Sequence, residues 1–86
     1  MSFTVSSLNF SNAKAGLAEG LKAIARGERE CDLKELTQVD SASLAVFLAW
    51  QRAAEQHHSS LRFTNTPESL VSLASLYGVD DLLVLS

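Results

Sequence analysis

The chain has 86 residues, 47% of them apolar and 20% charged, which fits one folded domain and leaves no room for a second. A formal charge of −3 argues against nucleic acid or an anionic membrane surface as partner, because both call for a basic face. The longest apolar run, Leu44 to Trp50, is seven residues, far short of the ~20 that a membrane-spanning helix needs, so no direct membrane insertion is expected.

Met1-Ser2-Phe3-Thr4 has neither the basic region nor the apolar core of a secretion signal. The single cysteine, Cys31, excludes an internal disulfide and a multi-cysteine metal site. A cytoplasmic location is the resulting expectation.

Along the chain, Phe3-Thr4-Val5 alternates apolar and polar, and Leu8-Asn9-Phe10 alternates again in the opposite parity. A bend or bulge at Ser6-Ser7 would bring both runs onto one face of a strand. Ser11 or Asn12 then caps a first helix whose apolar stripe is Ala13, Leu17, Leu21 and Ile24, with Gly27 ending it. Glu28 to Leu33 reads as a strand with Cys31 and Leu33 on one face and Glu30 and Asp32 on the other. A strand buried on both sides would be continuously apolar, so helices on one face and water on the other are expected.

A second helix is predicted from Asp40-Ser41 to about Gln56, and Leu61-Arg62-Phe63 is the next strand. Thr66-Pro67-Glu68 combines an N-cap residue, a first-turn proline and an early acid, so it opens a third helix. The stripe of that helix is Leu70, Leu73, Ala74 and Tyr77, and Gly78 stops it. Val79 to Leu85 reads as a turn followed by an edge segment. Strands alternating with helices indicate an α/β fold with one helical layer, spanning residues 1–86 as a single domain.

No constellation for catalysis emerges. Gly16, Gly20, Gly27 and Gly78 are scattered, so no glycine loop cradles a phosphate. His57-His58 would point about 100° apart on a helix and lack a third ligand nearby. Cys31 lacks a basic neighbour on its strand face and reads as a small apolar residue. No enzyme activity, metal or cofactor is expected.

The second helix is more informative. Stepping about 100° per residue from Leu44, residues Val46, Phe47, Trp50, Ala53 and Ala54 fill one broad apolar arc, suited to burial on the sheet. Leu44 and Leu48 fall outside it, beside Ser41, Gln51, Arg52 and Glu55. Two readings stand here. The leucines flank the core and pack on a neighbouring helix, or Ser41, Leu44, Ala45 and Leu48 form an exposed docking patch, since an apolar spot rimmed by polar side chains is the usual look of one.

The stretch Asp32-Leu33, then Val39-Asp40-Ser41-Ala42-Ser43-Leu44-Ala45, resembles the STAS domain family, with Ser43 standing where that family usually has glycine. Leu61-Arg62-Phe63-Thr64-Asn65 and Leu73-Ala74-Ser75-Leu76-Tyr77-Gly78-Val79 resemble one branch of it, the small STAS subunit of bacterial Mla-type phospholipid ABC transporters. The resemblance implies a small mixed β-sheet with helices packed on one face. It implies partner binding by Asp40, Ser41, Leu44, Ala45 and Leu48, and an ABC transporter ATPase subunit as partner, holding the protein at the cytoplasmic face of the inner membrane. The alternative it implies is an anti-sigma factor antagonist, switched by an anti-sigma factor kinase that phosphorylates Ser41. An unprotected edge strand near Phe3 also offers a route to a homodimer.

Overall fold

A computed structural model describes residues 2–85. In chain order the elements are β1 (Ser2–Thr4), α1 (Ala13–Ala25), β2 (Glu30–Asp32), α2 (Ser41–Gln56), β3 (Arg62–Thr64), α3 (Glu68–Leu76), a 3-10 segment (Asp80–Leu82) and β4 (Val84–Leu85). The strands lie in the order β1-β2-β3-β4, and every pairing is parallel, with Phe3 opposite Cys31, Cys31 opposite Phe63 and Phe63 opposite Leu85. Each connection is a helical crossover, and such crossovers are right-handed. Strands laid down in sequential order therefore place all the helices on the same face. The fold is α/β as expected, but the described strands form a parallel sheet rather than a mixed one, because no hairpin joins any two of them.

Strand alternation sets the two faces. Phe3, Cys31 and Phe63 point toward the helices, and Cys31 and Phe63 are fully buried. Glu30 and Arg62 form an ion pair across the open face. Burial pushes the Cys31 thiol up to about 12, with the neighbouring Asp32 charge adding to the effect, so it stays protonated and serves as core.

Helix α2 is the centre of the helical layer and touches both α1 and α3. Phe47 and Trp50 are buried, their rings 5.4 Å apart, and they reach Phe63 at 5.2 Å and Phe3 at 5.6 Å. The Trp50 indole N–H donates to the Leu17 carbonyl across the α1–α2 contact. That contact is close because α1 presents Gly20: a Cβ there would lie 2.0 Å from the Trp50 ring.

The close approach also turns α1. Gly20, Ala23 and Ile24 are buried, whereas Leu21, expected on the inner stripe, is 38% exposed. Gly27 and Gly78 follow the ends of α1 and α3 with φ of 94° and 70°, the left-handed conformation that ends helices.

Four other expectations are corrected. Leu8-Asn9-Phe10 is a turn and not a strand, because Asn9 and Asn12 bind local backbone: the Asn9 side-chain oxygen accepts from Ser11 N at 2.8 Å, and Asn12 Oδ1 accepts from Asn9 N at 2.7 Å. Asn12 thereby spends its side chain on the turn and makes no capping bond to α1, and Ser11 does not occupy the cap position. Thr66 likewise does not cap α3, which begins after Pro67, and its hydroxyl turns back to the Phe63 carbonyl. Tyr77 lies past the last turn of α3 and is 55% exposed, so only Leu70 and Ala74 of its stripe are fully buried, with Leu73 half-buried.

Candidate functional site: the N-terminal end of helix α2

Asp40 is the N-cap of α2, in extended conformation, and with Ser43 it makes a reciprocal capping box. The Ser43 N–H donates to Asp40 Oδ1 at 2.9 Å, and the Asp40 N–H donates to Ser43 Oγ at 3.1 Å. Both residues also reach outside the helix. The Ser43 hydroxyl, fully buried, donates to the Leu8 carbonyl at 2.5 Å, and the Phe10 N–H donates to Asp40 Oδ2 at 3.2 Å. The loop between β1 and α1 is thus tied at two points to the first turn of α2.

This tie controls what the surface displays. Leu8 is tucked into the core, while Phe10, two residues on, is 85% exposed. With the backbone anchored on either side, binding through this ring would have to order only its two side-chain torsions. On α2, beyond the Asp40 that holds the Phe10 amide, Ser41 and Ala45 are exposed and Leu48 is half-buried against the core. Phe10 was hidden in the sequence by its apparent strand alternation with Leu8. The signal that betrays it is Asn9-Phe10-Ser11-Asn12, a cluster of turn-forming residues around one aromatic.

The expected patch is corrected at Leu44, which is 4% exposed and belongs to the core. Around α2, the buried sector runs from Val46 through Phe47 and Gln51 to Leu44, because the helix has α1 on one flank and α3 on the other. Leu48, about 40° further round, lies on the boundary. Of the five expected binding residues, Ser41, Ala45 and part of Leu48 therefore share the outer surface. Asp40 acts beneath it as a clamp, and Leu44 packs inside.

The Asp40 carboxyl is held below the ordinary carboxylate value of 3.8, first by the Ser43 backbone N–H, then by the Ser43 hydroxyl and the backbone N–H groups of Phe10 and Ala42, with desolvation opposing. It is ionised near neutrality. Beside it, a cleft of about 440 Å³ opens at the carboxyl ends of β1 and β2, bounded by Ser7, Asn9, Thr37, Gln38 and Ser69. Its lining carries hydroxyls, amides and the Asp40 carboxylate but no basic side chain. It is poorly suited to an anionic ligand.

His57 and His58 lie at the far end of α2, both exposed, and His58 has φ 59°. Among the described residues no group of three or more His, Cys, Asp or Glu side chains is placed to hold a metal ion, and no helix is long and apolar enough to cross a membrane.

A family model described as "Mlab, STAS domain" matches residues 5–85, nearly the whole chain. No curated protein matches it. The chain belongs to the STAS domain family, and it is of the small accessory or regulatory kind that this family comprises.

Proposed function

We propose that this STAS domain is a non-catalytic subunit that binds the ATPase of a bacterial Mla-type phospholipid ABC transporter, at the cytoplasmic face of the inner membrane, through the surface formed by Phe10, Ser41, Ala45 and the outer edge of Leu48. The family description supports the transporter branch. The observation that carries the docking site is Phe10, 85% exposed and fastened by its backbone to the Asp40 cap. Such a subunit performs no chemistry. It stabilises whichever state of the ATPase presents the matching pocket, by its difference in affinity for the two states.

The test is affinity capture from the native cell with the full chain as bait. An ABC ATPase is expected to copurify, and Phe10→Asp or Ala45→Arg is expected to remove it while the urea midpoint of the bait stays put. Losing a central aromatic anchor costs about 2 kcal/mol or more, roughly thirtyfold in affinity. Leu48→Asp is a poorer probe, because Leu48 packs on the core and its loss unfolds as well as undocks. Capture that survives both surface substitutions refutes the docking site.

A second reading, an anti-sigma factor antagonist, is favoured by one observation: Ser41 occupies the first position of α2 and is exposed. A phosphate there would add about −1.5 to −2 charges beside the Asp40 carboxylate and next to Phe10, expelling a partner that docks on neutral surface. Recovery of a kinase-like anti-sigma factor, with phosphate on Ser41 by mass spectrometry, would select this reading over the transporter.

A further inference from the structure

We infer that a second docking surface lies toward the opposite end of α2, and that it takes an extended segment of a partner protein carrying an apolar side chain next to a basic one. A cleft of about 440 Å³ runs between the second half of α2, the entry to β3 and the 3-10 segment that leads into β4. On one side stand Leu48, Arg52 and Glu55, and on the other Asp81, Leu82 and Val84. Leu82 is 58% exposed and Val84 42%, so this wall is apolar and open.

The charge around that wall selects the occupant. Glu55 and Asp81 line the cleft and Asp80 adjoins it, against the single cation Arg52. Among the described residues the only ion pair is Arg62–Glu30 on the open sheet face, and none of these three carboxylates is paired with a cation there. An excess of carboxylates beside exposed aliphatic side chains repels anionic lipid and nucleic acid, and attracts a basic, apolar peptide.

Gln51 adds a second, independent feature. It lines the same cleft, is 6% exposed, and its carbonyl Oε1 has no hydrogen-bond partner, while its amide nitrogen reaches only Ser60 Oγ at 3.4 Å. A buried amide in this state is costly. This surface lies at the entry ends of β3 and β4, whereas Phe10 and Ser41 stand at the carboxyl ends of the strands, and the two surfaces meet only at Leu48.

Titration of the ¹⁵N-labelled full chain with two probe peptides tests the inference. The probes are acetyl-Lys-Leu-Val-Arg-amide and its charge-reversed counterpart acetyl-Glu-Leu-Val-Asp-amide. The basic probe is expected to give saturable amide shifts at Leu48, Arg52, Ser60, Leu82 and Val84, with signals around Phe10 and Ser41 unmoved. It should bind about tenfold more tightly than the acidic one. Asp81→Lys should erase that preference, and Leu82→Ser should weaken both probes while leaving the spectrum folded. Equal affinity for the two probes, shifts centred on Phe10, or no saturable binding by either overturns the proposal.

Discussion

Replacing Ser43 with alanine tests the link between the stability of α2 and the surface it displays. The hydroxyl is fully buried, donates to the Leu8 carbonyl at 2.5 Å and accepts from the Asp40 N–H at 3.1 Å. Each intramolecular hydrogen bond contributes about 1 kcal/mol net, and leaving a buried carbonyl such as that of Leu8 unpaired costs roughly 1–3 kcal/mol. Alanine returns about 0.5 kcal/mol through its better helix propensity. The balance is a loss of about 2 kcal/mol, and at roughly 4–8 °C per kcal/mol in a domain of this size the melting temperature falls by about 8–16 °C.

Trp50, the single tryptophan and 1% exposed, reports the transition by fluorescence during urea unfolding. The same variant should accelerate hydrogen exchange at the Phe10 amide beyond the global loss, because Leu8 is then released while only Asp40 still holds the loop. If Ser43→Ala unfolds within about 0.5 kcal/mol of the parent, the range of an ordinary surface change, and the Phe10 amide exchanges as before, then Ser43 does not tie the loop to α2.

Two further outcomes follow from the same geometry. Gly20→Ala and Gly16→Ala are the same change one helical turn apart. The first drives a Cβ to 2.0 Å from the Trp50 ring, whereas the second meets only the flexible end of Leu8 at 2.5 Å. Overpacking of about 1–3 kcal/mol and strain on the Trp50–Leu17 hydrogen bond should make Gly20→Ala clearly destabilising in urea unfolding. The gain of about 1 kcal/mol in helix propensity should leave Gly16→Ala close to neutral. For pH, the folded Asp40 carboxyl lies below its unfolded value of 3.8, so its contribution is complete above that value and disappears as pH falls through the folded one. Comparing the parent with Asp40→Asn across an acid titration should show the stability gap closing only below about pH 4 and staying flat from pH 5 to 8; a gap that changes near neutrality would contradict the assignment.

The boundaries of α2 were legible because their causes are local. Asp40 caps through its own neighbours, and the spacing of Val46, Phe47, Trp50 and Ala54 identifies the inner arc without any knowledge of what it meets. The alternation of Cys31 and Leu33 against Glu30 and Asp32 likewise announced a sheet with one wet face. Phe10 was not legible in this way. Its alternation with Leu8 satisfies a strand as well as a turn, and the competition is decided by the hydrogen bonds of Asn9 and Asn12 and by the reach of Asp40 from thirty residues away.

By itself, then, the sequence determined the α/β alternation, the capped start of α2 and the family, since each rests on contacts within a few residues or on a pattern preserved along the chain. Only the tertiary structure decided which side chains around the start of α2 are exposed. Whether Leu44 is core or surface depends on α2 lying between α1 and α3, and whether Phe10 points outward depends on a distant cap holding its backbone. Solvent exposure is a sum over neighbours brought together by folding, and no periodicity within a single element encodes it.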